Sequence, residues 1–429
     1  MRTTLNIAVI GLGYIGLPTA ALLAQNGHRV YGYDVNPQLR RELQRGQISA
    51  GEPAVRQAVQ DALASKALLV CDRVPIAQAY IMCLPTPASG DRPVLDYVES
   101  AAADVARIAE RGAILVLEST VPPGTTERIF EQALRRAGKS IDDFHVAHCP
   151  ERVIPGAIME ELKTNARVVG GRTPKDAQLV AELYASFCNG TISQTSTTAA
   201  EFVKIVENTF RDVNIAFANE LAVFAEELGV DVWETIALAN AHPRVNILLP
   251  GPGVGGHCIP VDPHFLADAN PLVTELIQAA RRVNERMPYR IVRRIGQLVD
   301  PAQGRKIALL GAAYKADVDD ARESPTARID ELLRERGYAT AIYDPLVSSF
   351  SRPLASSLEE AARDADALVL VTAHAAFKSI RAADVAALMR ARRLVDTRNF
   401  FDVDEWDRCG FECYILGRPF KRLAARAVA

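Results

Sequence analysis

The stretch GPGVGGHCIPVDP, residues 251–263, places Cys258 directly behind four glycines, beside His257, with Asp262 four residues on. A cysteine used only for packing usually sits on an apolar strand or helix face, whereas glycines let a backbone take positive φ and approach a ligand. From this stretch alone two readings stay open, a presented nucleophile and a cysteine packed in a tight turn. Upstream, Lys204, Asn208 and Arg211 fall at i, i+4 and i+7, on one face of a helix. Their neighbours Phe202, Val203, Ile205, Val206 and Phe210 are apolar, so this polar face is expected to line an enclosed site. A lysine desolvated there suits proton transfer.

A thiol gains a purpose if a hydride acceptor is present. The N-terminal NIAVIGLGYIG continues into an apolar helix from about Pro18 to Asn26, and RVYGYD then ends in Asp34. Strand, G-x-G-x-x-G, helix, strand and terminal acid together are the dinucleotide fingerprint. Gly11 makes the tight turn, Gly13 admits the pyrophosphate and Gly16 lets the helix pack on the strand. The pyrophosphate sits at the helix N-terminus. Asp34 accepts from ribose hydroxyls and repels a 2′-phosphate, which favours NAD over NADP; Arg40 and Arg41 read as too far along to alter this. With NAD, a thiolate can trap an aldehyde as a thiohemiacetal, a second hydride transfer gives a thioester, and water releases an acid. That chemistry needs a hydride acceptor, a thiol, a proton carrier and a water activator, for which the chain offers NAD, Cys258, Lys204 and Glu151.

The elements that must position these groups follow from the pattern. Strands AYIMCLPTP (79–87), AILVLEST (113–120) and DFHVAHCPE (143–151) end in Thr86, Ser119-Thr120 and Pro150-Glu151. Ligands of doubly wound sheets gather at such carboxyl ends. Residues 197–229 read as one long helix, capped by Thr197 or Thr198 and ended by Gly229; a second runs from about Pro271 to Gln297. The C-terminal third repeats the first, with KIALLGAAYK (306–315) and TAIYDP (340–345), yet only Gly311 of the three glycines survives and Lys315 stands in the turn. It is expected to bind a different phosphate-bearing molecule, or to be a purely structural repeat. The fold class is therefore α/β: two Rossmann-like doubly wound domains, 1–196 and 301–429, joined by a central helical domain, 197–300, with a long helix that suggests a homodimer interface.

Composition agrees. The 429 residues are 49% hydrophobic and 24% charged, with net charge −3. This is a soluble globular profile with no electrostatic case for nucleic acid. The uncharged run 7–27 is broken by glycines and Pro18, which argues against membrane insertion. Seven cysteines show no paired framework, and Cys409 and Cys413 form a lone CxxxC read as structural, so no metal is expected and a reducing, cytoplasmic setting is the default.

The motifs IGLGYIGLPTA, EST-PPGTTE, CPERVIPG, EFVKIVENTFRDVNIAFANEL, GPGVGGHCIPVDP and DVDDARESP, in this order along nearly the whole chain, resemble the UDP-glucose/GDP-mannose dehydrogenase family. The resemblance implies oxidation of a nucleotide-sugar C6 hydroxymethyl group to a carboxylate with two NAD. It implies Cys258 as nucleophile, Lys204 as proton carrier and Asn208 as the group steadying the C6 oxygen. Glu151, Thr120 and Asp262 handle the hydrolytic water and orient the site. Tyr14, Ile15, Asp34, Thr86, Thr120 and Arg322 correspond to NAD contacts. Arg152, Val153, Arg211, Gly255, Tyr314 and Lys315 fall among the expected substrate contacts. The stretch HPRVNILLPGPGVGGHC is similar to the UDP-N-acetyl-mannosamine branch, in which His242 and Arg244 correspond to substrate contacts, the neighbouring subunit being one source. His264 departs from that branch, which often has a bulky aromatic there. The alternatives are the same chemistry on UDP-N-acetyl-glucosamine or UDP-glucose, a two-electron hydroxyacid dehydrogenase that needs no Cys258, and an NAD-responsive binding protein without turnover.

Overall fold

The computed structural model describes residues 4–48, 52–89, 92–154, 156–256, 258–301 and 305–420. The chain divides into two compact units, residues 1–207 and 208–429. In the first, β1 (Asn6–Ile10), β2 (Arg29–Tyr33), β3 (Leu68–Val70), β4 (Ala79–Met82), β5 (Ile114–Leu117), β6 (His145–His148), β7 (Arg167–Gly171) and β8 (Ile192–Ser196) form one sheet. Its order is β8-β7-β6-β5-β4-β1-β2-β3. Every adjacent pair is parallel except β6 and β7. The central strands are apolar on both faces because both faces are covered. Ile7 and Val9 of β1 enter one core and Ala8 and Ile10 the other. The strands stop earlier than their apolar runs suggest: β4 ends at Met82, β5 at Leu117 and β6 at His148, leaving the polar residues beyond them in turns.

The helices α1 (Gly16–Gln25) and α2 (Pro37–Gln44) follow β1 and β2. Asn36 caps α2 by accepting from the Gln38 and Leu39 N–H groups, and Pro37 supplies a preset φ at the first helical position. The long helix α3 (Thr197–Leu228) runs from the first unit into the second. Its start is capped by the Ser196 hydroxyl, which accepts from the Ala199 N–H at 3.3 Å, in place of Thr197 or Thr198.

In the second unit, α4 (Asp262–Ala269), α5 (Glu275–Leu298) and α6 (Pro325–Glu335) accompany β9 (Lys306–Leu310), β10 (Ala339–Tyr343), β11 (Ala367–Leu370), β12 (Arg393–Asp396) and β13 (Glu412–Ile415). This sheet is parallel throughout, ordered β10-β9-β11-β12-β13. The helix read from Pro271 is interrupted: Pro271–Val273 make a 3-10 turn, and α5 starts at Glu275. Ala218, Ala222 and Ala225 of α3 join Met287, Ile291 and Ile295 of α5 and Ile307 and Leu309 of β9 in one buried cluster. Each large aliphatic buried there contributes about 1.5–3 kcal/mol. The fold is thus the α/β pair of Rossmann-like sheets with intervening long helices that the pattern implied.

The turn after β1 distinguishes its three glycines. Gly11 has φ +88°, and a Cβ there would lie 2.3 Å from the Cys83 carbonyl oxygen; at Gly16 a Cβ would lie 1.8 Å from the Gly11 oxygen. At Gly13 nothing lies within 4 Å. Two glycines therefore serve packing and one leaves a space. We expect Gly16→Ala to destabilise the first unit, overpacking costing about 1–3 kcal/mol. Gly13→Ala should change stability by no more than about 0.5 kcal/mol while weakening NAD at least about tenfold, about 1.4 kcal/mol. Thermal melts beside calorimetric NAD titrations check both.

Candidate active site

In the first unit, the turn and the acid after β2 are joined. Asp34 Oδ2 accepts from the Leu12 N–H at 2.8 Å, and Oδ1 accepts from the Asn36 N–H at 2.9 Å. Arg40, read as too far along, reaches this place because α2 turns it back. Its Nη1 donates to the carbonyls of Asp34 (2.6 Å) and Val35 (3.2 Å), and its guanidinium lies 5.5 Å from the Tyr33 ring centroid. Its charge is shared between those carbonyls and Asp72, 3.5 Å from Nε, so Asp34 remains the carboxylate at the end of β2. Tyr14 is exposed at the turn, and Ile15 is the N-cap of α1. The open space at Gly13, a helix start with no side-chain cap and Asp34 fit a dinucleotide pyrophosphate and ribose.

Farther along the strand ends, Thr86 is buried, Thr120 half-buried, and the Ser119 hydroxyl accepts from the Leu84 N–H at 2.9 Å. Glu151 stands just beyond β6. Its Oε1 accepts from the N–H groups of Arg152 (2.6 Å) and Val153 (3.0 Å), and its Oε2 faces the buried Arg167 guanidinium at 3.4 Å. The Arg152 guanidinium, expected to contact substrate, is tied to Glu207 of α3 at 2.5 Å and to the Ala166 carbonyl. Lys204 lies on α3 and is half-buried.

In the second unit, Cys258 opens the turn into α4. Its carbonyl accepts from the N–H groups of Val261 (3.1 Å) and Asp262 (2.9 Å), so Asp262 sits one turn from the thiol-bearing residue. Asn208, fully buried on α3, donates through Nδ2 to Asp262 Oδ2 and accepts at Oδ1 from the Arg211 guanidinium. The other end of the loop is held as well: the Gly251 N–H donates to Asn219 Oδ1 at 2.8 Å, and Asn219 donates to Asn284 at 2.9 Å. Asn284 in turn donates to buried Asp212, which pairs with Arg281 at 2.7 Å. Two asparagines of one helix thus fasten both ends of the cysteine loop.

The loop's glycines serve its own backing first. A Cβ at Gly255 would lie 2.5 Å from the Glu323 carbonyl, and one at Gly256, where φ is +91°, would lie 2.8 Å from the Tyr314 ring. The Gly256 N–H donates to the Arg322 carbonyl at 3.1 Å. Close approach of the loop to segment 314–325, rather than to a ligand alone, requires glycine there. Cys258 is nonetheless exposed. Burial raises the thiols of Cys83 and Cys71 and pushes Cys149 up to about 12, so these carry little thiolate at neutral pH. Cys258 therefore answers to presentation rather than to packing; its neighbour His257 lies outside the described residues.

One further expectation meets the structure differently. Phe202, Val206 and Phe210 do not wall in the polar face of α3; they are exposed. With Phe217, Phe224 and Leu228, also exposed, they fall within about 80° of helix arc at 100° per residue. Arg322 forms a two-pronged pair with Asp320 in the same loop (Nη2 to Oδ2, 2.6 Å), and Lys315 is exposed. His242 and Arg244 are exposed and bond to each other, Nη2 to Nε2 at 3.4 Å. Among the residues that escape sequence reading is Arg398, whose guanidinium lies against Gly251, where a Cβ would be 2.4 Å from Nη1. Its position one residue past the strand RLVDT, two beyond Asp396, was the available signal.

The two halves use their β2-type acids differently. Asp344, after β10, accepts at Oδ2 from the Ala312 and Ala313 N–H groups and from His374 Nε2, and at Oδ1 from Leu346 and Val347. Burial opposes its charge, but these donors hold its carboxyl well below the usual range. A carboxylate with five donors has no capacity for ribose hydroxyls. Asp34→Asn should raise KM for NAD at least about tenfold, about 1.4 kcal/mol, with little change in melting temperature. Asp344→Asn should leave KM for NAD unchanged and cost about 3–5 kcal/mol in stability; steady-state kinetics and thermal melts of the pair check the contrast.

The chain matches known proteins along most of its length. Residues 5–188 match the NAD binding domain, 198–286 the central domain and 308–403 the UDP binding domain of the UDP-glucose/GDP-mannose dehydrogenase family. A Methanococcus maripaludis protein named UDP-N-acetyl-D-mannosamine dehydrogenase is 41% identical over 421 residues, covering 96% of each chain. A Pyrococcus horikoshii structure described as a UDP-D-ManNAc dehydrogenase superposes with TM-score 0.91 at 41% identity, covering 97% of this chain and all of the other. The UDP-N-acetyl-mannosamine dehydrogenase Cap5O of Staphylococcus aureus superposes with TM-score 0.87 at 36% identity, covering 97% and 99%.

Proposed function

Because the chain belongs to the UDP-glucose/GDP-mannose dehydrogenase family, we propose that it oxidises the C6 hydroxymethyl group of UDP-N-acetyl-D-mannosamine to the carboxylate of UDP-N-acetyl-D-mannosaminuronate. One sugar, two NAD and one water give one uronate, two NADH and three protons. NAD, bound at the Gly13 turn and Asp34, supplies the hydride acceptor for both oxidations. The observation that carries the reaction is the hydrogen-bonded group of Cys258, Asp262 and Asn208, with an exposed thiol at its head. The manno epimer is supported by the names of relatives about 41% identical across nearly the whole chain.

The residues divide the work as follows. Lys204 takes the proton of the C6 hydroxyl as the first aldehyde forms. Cys258 sulfur adds to that aldehyde carbon, and Asn208, its amide fixed by Asp262 and Arg211, donates to the C6 oxygen as negative charge grows there. After the second oxidation C6 is bound to sulfur as a thioester. Glu151 and Thr120 then hold the water that attacks C6; the C–S bond breaks and its electron pair leaves with Cys258.

The same proposal assigns residues 1–196 to the cofactor domain, 197–300 to a helical domain and 301–429 to the nucleotide-sugar domain. It includes a cytoplasmic homodimer. The exposed stripe Phe210, Phe217, Phe224 and Leu228 on α3 supports a second copy as its cover. His242 and Arg244, exposed and paired, are then placed to reach the neighbouring protomer's sugar. Among the described residues no helix is long and apolar enough to cross a membrane.

Purified protein with NAD should yield two NADH per UDP-N-acetyl-D-mannosamine consumed and far less with the gluco epimer. Two NADH from the gluco epimer alone would reverse the substrate, and one NADH from either would overturn the cysteine mechanism. Cys258→Ser should lose several orders of magnitude in kcat, about 10³ or more, measured by NADH absorbance.

A further inference from the structure

Beneath Glu151 lies a buried polar cluster that the roles above leave unused. Arg167, the first residue of β7, has only 5% of its side chain exposed. Its guanidinium is flanked by the rings of Tyr184 and Phe187, at 4.9 and 5.3 Å from their centroids. Nη2 faces Glu151 Oε2 at 3.4 Å and the Leu162 carbonyl at 3.5 Å, while Nη1 lies 3.9 Å from the Cys149 sulfur. The Tyr184 hydroxyl donates to Glu118, whose other oxygen accepts from the Cys83 thiol at 3.0 Å. One cation thus serves two acids. Burial raises the Glu118 carboxyl, with Arg167 opposing and Glu151 adding to the rise.

We infer that Arg167 is a positioning residue for the hydrolytic half of the reaction, fixing which oxygen of Glu151 meets the water. The argument is one of capacity. Glu151 Oε1 is filled by two backbone N–H groups from residues 152 and 153. Oε2 has a single, longer contact, from Arg167, so it keeps the lone pairs that can accept a water proton. The backbone pair and the guanidinium hold the carboxylate at three points, and the two rings hold the guanidinium. Stability alone is a weak reason for this arrangement, since a buried ion pair is often no better than apolar residues of the same volume. The step it serves balances as written above: water oxygen bonds C6, its proton passes to Glu151 Oε2, and the sulfur leaves with the C–S electron pair. This inference rests on the reading of Glu151 as the group that handles the water.

The test compares Arg167→Met, Arg167→Lys and Glu151→Gln in the full-length enzyme by rapid-quench NADH counting and intact mass of the quenched protein. Arg167→Met should form two NADH per active site in a burst, then turn over about 10- to 100-fold more slowly than wild type. It should carry the uronyl nucleotide mass on Cys258, with KM for the sugar changed less than about threefold. Arg167→Lys should recover part of the rate and carry less adduct. Wild-type deacylation in folded Arg167→Met, with adduct present in Glu151→Gln, overturns the role of Arg167 and leaves that of Glu151 standing. Absence of both slowing and adduct in Glu151→Gln overturns the reading of Glu151 itself. If Arg167→Met does not fold, Arg167→Lys decides: deacylation at the wild-type rate in that variant overturns the inference.

Discussion

Two asparagines on α3, Asn208 and Asn219, hold the loop that carries Cys258, one at each end. They stand eleven residues apart, close to three whole helical turns, so both face the same side about 16 Å apart along the axis. A rigid helix therefore sets the span of the loop. The constraint propagates: the Asn208 amide is oriented by Asp262 and Arg211, Asn219 leans on Asn284, and Asn284 on the buried Asp212–Arg281 pair. Apart from half-buried Arg211, every polar side chain in that network is buried, so removal of one partner leaves another without a hydrogen bond, which costs about 1–3 kcal/mol. Exposed Cys258, joined through its main-chain carbonyl, stands at the outer end of this largely buried network.

The same accounting explains how one fold serves two ends. After β2, Asp34 takes two backbone N–H groups and lies beside an open glycine. After β10, Asp344 takes four backbone N–H groups and a histidine, and Ala313 stands where the first half has Gly13. The first acid keeps capacity for a ligand; the second is consumed in closing its own turn. The C-terminal sheet keeps the architecture of a dinucleotide domain and has lost the place where the dinucleotide would lie, which agrees with its match to a UDP binding domain.

Much of this was legible in the residues. The glycine spacing and Asp34 specified the first turn because only glycine fits 1.8 Å from a carbonyl oxygen or at φ +88°. The long helix was plain from its apolar run and its terminal Gly229. What periodicity could not tell was which apolar face was covered: Phe202, Val206 and Phe210 look the same in sequence whether they wall a site or face outward. Arg40 was misjudged because distance along a chain is not distance in space once a helix turns the residue back. Asn219, Arg167 and Arg398 escape a reading of the sequence for a related reason. Each acts through a partner 16 to 147 residues away in sequence, Glu151 for Arg167 and Gly251 for Arg398. No local pattern marks such pairs.

The claim that the helix fixes the cysteine loop is tested most directly by hydrogen exchange of peptides covering residues 251–262 in wild type, Asn208→Ala and Asn219→Ala. The account predicts that either substitution speeds exchange across the loop while α3 and the β9–β13 sheet keep their protection. Unchanged loop exchange in both variants, or faster exchange spread evenly over the whole second unit, would contradict it.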